Sequence, residues 1–139
     1  MKIAVRYLSK TGHTKSVAEA IAKAVGVRAQ PITEPLEEHA DILFLGSALY
    51  AAHIAPELGA FLDGVKGKAG EVVNFSTATL LPGTEKQVRR LCEARGIAMA
   101  KEEFHCKGSF HGIYRGHPDK QDLNAAEKFA VSVVRARKG

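Results

Sequence analysis

Residues 2–14 read K-I-A-V-R-Y-L-S-K-T-G-H-T, and the architecture of the chain turns on them. Ile3 to Leu8 is an apolar strand that runs directly into a turn rich in hydroxyls, Ser9, Thr11 and Thr14, with Gly12 among them. Beyond the turn, Val17, Ile21, Ala24 and Val25 recur at i, i+4, i+7 and i+8, the spacing of one helix face, which stops near Gly26. A helix N-terminus offers unpaired backbone N–H groups and the positive end of the macrodipole, so such a turn can cradle a phosphate without a lysine. The hydroxyls add donors, and Gly12 lets the backbone turn tightly. A plain helix cap built from Ser and Thr is the other reading of the same residues. The three-glycine pattern G-x-G-x-x-G is missing, as is G-x-x-x-x-G-K-[ST], so the turn suits a terminal monophosphate rather than a dinucleotide or a hydrolysed triphosphate.

Outward from this turn, apolar runs alternate with amphipathic segments, the pattern of a parallel sheet covered by helices on both faces. Val27 to Ile32 predicts a weak second strand, kept short and at an edge by Pro31 and Pro35, with Glu34 to Ala40 as an abbreviated crossover turn or helix. Asp41 to Ser47 is a continuous apolar run and predicts a central strand buried on both faces. Pro56 opens a helix whose stripe is Leu58, Phe61, Leu62 and Val65, and Glu71 to Phe75 predicts the fourth strand. Thr84-Glu85-Lys86-Gln87 reads as a capping box, opening a helix that buries Val88, Leu91 and Cys92 and ends at Gly96. Ile97 to Lys107 predicts a fifth strand, Gly108 to Pro118 a loop, and a last helix behind Pro118-Asp119 buries Leu123, Ala126, Ala130, Val133 and Val134.

The 139 residues suffice for one domain spanning residues 1–139, and 45% hydrophobic content supplies its core. No run approaches the ~20 apolar residues of a membrane span, and Met1-Lys2-Ile3 leads into a strand, so a cytoplasmic protein is expected. Cys92 and Cys106 read as buried free thiols of a reducing compartment. The formal charge is +5, with eight Lys/Arg against seven Asp/Glu in residues 1–70 and twelve against eight in 71–139. Arg135, Arg137 and Lys138 carry much of that excess and complement the negative end of the last helix. A nucleic-acid surface would need a longer basic stripe interleaved with aromatics, and the chain has no Trp and three Tyr. His105, His111 and His117 fall six apart without carboxylates or helical ligand spacing, so they read as solvated loop residues rather than a metal site.

Ser9-Lys10-Thr11-Gly12-His13-Thr14 matches the phosphate loop [ST]-x-T-G-x-T of the flavodoxin family at each defined position, and the chain resembles that family over nearly its whole length. Cys106-Lys107-Gly108 and Gly116-His117-Pro118 with Asp122-Leu123 resemble a C-x-G turn and a G-x-P-x-x-x-D-L motif of short flavodoxin-like proteins. The resemblance implies an α/β fold, a doubly wound five-stranded parallel sheet of order 2-1-3-4-5, with the cofactor FMN at the carboxyl ends of the strands. By the same resemblance Ser9, Lys10, Thr11, Gly12, His13 and Thr14 hold the phosphate. Ser47, Ala48, Leu49 and Tyr50 line the flavin ring, with Tyr50 stacked on it, and Ser76, Thr77 and Ala78 line it from the next strand. The place of a second stacking aromatic is taken by Leu80 or Leu81.

The expected function is electron transfer by an FMN-binding protein. The redox partner is expected to present acidic or neutral surface, because the site loops lack Asp and Glu while Lys10 and Lys15 flank the phosphate turn, unlike the acidic carriers of the family. Neither nucleic acid nor membrane is expected as a partner, and a monomer or homodimer is expected. An FMN-dependent oxidoreductase, similar to the flavodoxin-like protoporphyrinogen oxidases, is the first rival, with Gly108 to Pro118 as its substrate loop. A flavin-free interaction module on the same fold is the second. Gly46-Ser47-Ala48-Leu49-Tyr50 lacks the last glycine of the hydrolase G-x-S-x-G, and the chain lacks the acidic residues of a receiver domain after its first and third strands.

Overall fold

The computed structural model describes residues 1–10, 12–48, 55–78, 83–107 and 118–138. Its elements alternate along the chain: β1 (Ile3–Tyr7), α1 (His13–Val25), β2 (Ala29–Pro31), β3 (Ala40–Ala48), α2 (Pro56–Asp63), β4 (Ala69–Ala78), α3 (Glu85–Ala94), β5 (Met99–Lys107) and α4 (Lys120–Lys138). The strands form one parallel sheet of order β2-β1-β3-β4-β5. The expected doubly wound order 2-1-3-4-5 is therefore the observed one.

Period-2 alternation on the central strands divides the core. Ile42 and Phe44 of β3 and Val73 and Phe75 of β4 face α1 and α4, where Val17, Ile21, Ala126, Ala130 and Val133 meet them. Leu43, Leu45 and Val72 face the other way, against Leu58, Leu62 and Val88 of α2 and α3. Burial of both faces explains why Asp41 to Ser47 reads as one apolar run rather than an alternating one. Glycines in the left-handed region, Gly26 at φ +78° and Gly96 at φ +69°, stand just past α1 and α3, where the sequence places both stops.

Three local expectations shift. β2 is three residues long, shorter than Val27 to Ile32, while the crossover to β3 takes the turn form, one of the two expected for it. Arg6 of β1 anchors that crossover: Nε donates to the Glu34 carbonyl (2.8 Å) and Nη2 to the Pro35 carbonyl (3.4 Å). Its guanidinium is buried, which lowers its pKa from the ordinary arginine value, with Glu34 opposing the shift. β4 runs from Ala69 to Ala78, longer than the apolar core Glu71 to Phe75, because β3 pairs with it from Ala40↔Ala69 through Ala48↔Thr77. The third shift concerns the start of α3. Thr84 precedes that helix, yet its hydroxyl makes no cap bond and is drawn into the sheet edge instead.

The reciprocal cap occurs at α4. Asp119 N–H donates to Asp122 Oδ2 (2.8 Å) and Asp122 N–H donates to Asp119 Oδ1 (2.9 Å), which closes two helix-start donors at once. Among the described residues no helix is long and apolar enough to cross a membrane.

Candidate functional site

Parallel pairing brings the carboxyl ends of β1, β3 and β4 side by side. Tyr7 is paired with Gly46, Ser47 with Ser76, and Ala48 with Thr77. The chain therefore leaves β1, β3 and β4 at the same end of the sheet, at the switch point where the strand order reverses between β1 and β3. Thr11, Leu49, Tyr50, Leu80, Leu81 and the loop Gly108 to Gly116 lie outside the described residues, as do His53, His111 and His117.

At the first turn, Gly12 is the residue before α1 and holds φ +90°, a conformation that L side chains rarely adopt. Its N–H donates to Ser9 Oγ (2.9 Å), which closes the turn and leaves the serine hydroxyl its own proton to donate. Ser16 N–H and Oγ both donate to the Gly12 carbonyl at 3.0 Å, fixing the first turn of α1. Gly12, at the cap position, contributes no side-chain cap bond, and the first turn of α1 holds no acidic residue. Where a Gly12 Cβ would stand, nothing lies within 4 Å among the described residues, so the backbone angle and not crowding demands glycine. Lys10 and Lys15 are exposed on either side.

Thr14 and Thr77 meet beneath that turn. Their Oγ1 atoms are 2.9 Å apart, and the residues are 1% and 3% exposed. The side chain of Thr77 thus reaches toward α1, in register with Val73 and Phe75 on the same side of β4.

Ser47 and Ser76 point to the opposite face. Ser47 Oγ donates to Thr84 Oγ1 (2.9 Å), Asn74 Nδ2 donates to Thr84 Oγ1 (3.2 Å), and Thr84 N–H donates to Ser76 Oγ (3.3 Å). All four residues are fully buried. Their side chains tie the ends of β3 and β4 to the start of α3, so contact between Ser47 or Ser76 and a ligand falls to the backbone. Sequence reasoning missed Asn74 and Thr84. The signal was Asn74 itself, one polar residue inside V-V-N-F-S, since a buried amide must find partners.

The donor set of the first turn fits a phosphate monoester. It consists of hydroxyls, backbone N–H groups at a helix start and flanking lysines, with no carboxylate in the first turn of α1 to repel an anion. Ala48 and Ala78 stand at the ends of paired strands. His105, on β5 beside Ser76, is exposed.

No protein-family model matches the sequence. An uncharacterized protein of Methanocaldococcus jannaschii is 25% identical over 137 residues, spanning 88% of this chain and 91% of its own. The chain has the flavodoxin-like fold. A flavodoxin from the domain Archaea superposes with a TM-score of 0.79 at 18% identity, over 100% of both chains. Oxidised flavodoxin 2 from Bacillus cereus follows at 0.73 and 19% identity, over 98% of this chain and 99% of its own. The rubredoxin oxygen:oxidoreductase of Desulfovibrio gigas reaches 0.74 at 18% identity, and there this chain spans 36% of the longer one.

Proposed function

We propose that this protein binds FMN and transfers electrons, in the manner of a flavodoxin. The observation that carries the reading is the glycine-turned start of α1, stocked with hydroxyl donors and free of acid in its first turn, at the switch point of a 2-1-3-4-5 sheet. The phosphate would be held by Ser9, Thr11, Gly12, His13 and Thr14, with Lys10 adding positive charge nearby. The ring would lie against the backbone at Ser47 to Leu49 and Ser76 to Ala78, with Tyr50 stacked on it. Bound FMN supplies the redox chemistry, while the chain binds it, orients it and sets the charge around it. The likeness to flavodoxins along the full chain supports this reading, and the redox partner would present acidic or neutral surface.

The test is direct. Purified protein is expected to be yellow and to release FMN on denaturation, and the apoprotein should regain the flavin spectrum when FMN is added. Anaerobic reduction should then be reversible without added substrate. A colourless protein that leaves the spectrum of added FMN unchanged contradicts both the carrier and the oxidoreductase readings.

A further inference from the structure

We infer that the Thr77 side chain positions the phosphate contact rather than lining the ring: it directs the hydroxyl proton of Thr14 toward the phosphate from beneath. This rests on the FMN reading above.

Thr14 and Thr77 are 63 positions apart, yet their hydroxyl oxygens sit 2.9 Å from one another, and either atom can donate. Two hydroxyls carry two protons, and the bond between them uses one. Which proton remains is undecided by the pair alone. A phosphate dianion ahead of α1 decides it, because the anion only accepts: Thr14 donates to the phosphate and Thr77 donates to Thr14. Each bond then polarises the next, so the pair binds charge more strongly than Thr14 alone.

Two further observations favour this role. The residues are 1% and 3% exposed, so the bond between the hydroxyls is shielded from bulk solvent. β-Branched valine would fill the same strand position without a buried polar atom, and a neutral pair of buried hydroxyls adds little net stability over the apolar pair. A ring-lining role for Thr77 does not account for a side chain packed toward α1.

Affinities for FMN and riboflavin, measured by quenching of flavin fluorescence, separate the roles. The apoprotein would be compared with Thr77→Val, Thr77→Ser, Thr14→Val and the Thr14→Val/Thr77→Val double variant. Thr77→Val should weaken FMN about fivefold more than riboflavin, and Thr77→Ser should restore the preference. Thr14→Val should weaken FMN at least as much, and adding Thr77→Val to it should change nothing further, because the effect of Thr77 passes through Thr14. Should Thr77→Val not fold, Thr77→Ala and Thr77→Ser carry the comparison. Equal losses for both ligands from the Thr77 substitution, or losses that add to those of Thr14→Val, overturn the assignment while the FMN reading stands. Wild-type protein that binds riboflavin as tightly as FMN overturns the phosphate assignment, and wild-type protein that binds neither overturns the FMN reading and this inference together.

Discussion

Gly46 shows how one missing side chain admits another. It ends the apolar part of β3, and a Cβ built there would overlap the edge of the Phe75 ring, which is fully buried on β4. That ring packs among Val5, Phe44 and the helices α1 and α4, so it has little room to withdraw. Gly46→Ala is expected to destabilise the protein by about 1–3 kcal/mol through overpacking. Urea unfolding measures it, and a change within about 0.5 kcal/mol would show that the core can accommodate the methyl group. The cysteines behave as the sequence predicts. Both are free and buried, and burial pushes the Cys92 thiol up to about 11 and the Cys106 thiol up to about 12, so neither is reactive at neutral pH.

Two strands and a helix are joined at the other end of the sheet. Arg137, in the last turn of α4, donates to Glu71 of β4 (2.7 Å) and to Glu102 of β5 (2.8 Å), a bidentate arrangement on both carboxylates. The sequence placed Arg137 at the helix end as a partner for the dipole; the structure adds two carboxylates from neighbouring strands. Hydrogen bonds from Arg137 hold the Glu102 carboxyl down at about 2, below the ordinary 4.5. A lowered carboxylate pKa stabilises the fold at pH values above the ordinary one, and this stabilisation disappears as the pH falls from 4.5 toward 2. Because the Glu102 side chain is 41% exposed, the contribution is expected to be at most about 1 kcal/mol. Urea titrations of wild type and Glu102→Gln at pH 7, about 4 and about 2.5 should show the difference shrinking with acid. A difference that is independent of pH would assign it to packing.

The whole chain carries a formal +5, and the segments flanking the candidate site lack Asp and Glu between Ser9 and Thr14, Ser47 and Pro56, and Ser76 and Thr84. Positive surroundings favour adding electrons to a bound flavin. One positive charge about 10 Å away contributes roughly 1–2 kcal/mol at an effective dielectric near 20, before screening. The reduction potential of bound FMN is therefore expected to lie tens of millivolts above that of an acidic flavodoxin measured alongside, with the gap narrowing as salt rises. Anaerobic titration at two ionic strengths measures both quantities. Equal potentials, unmoved by salt, would contradict the electrostatic account.

Element order, helix faces, the edge position of β2 and the glycine turn that opens α1 were legible in the sequence, because each depends on local spacing: period 2 on a strand, period 3.6 on a helix, glycine at a forced turn. The stop at Gly26 and the helix start behind Asp119 are equally local. Partner choice among hydroxyls was not legible. Thr84 sits in a good capping sequence, but folding sets it against Ser47 and Asn74, 37 and 10 positions away, and those buried groups claim its hydroxyl. Thr77 reads as one more residue of a strand end until the sheet register and α1 bring it to Thr14. Arg6, one cation in a strand, becomes the anchor of a helix-free crossover only when the Glu34 and Pro35 carbonyls fold over it. A buried polar group must be satisfied by whatever the fold places within hydrogen-bonding distance, and that neighbour is a property of the tertiary arrangement, not of the sequence around the group.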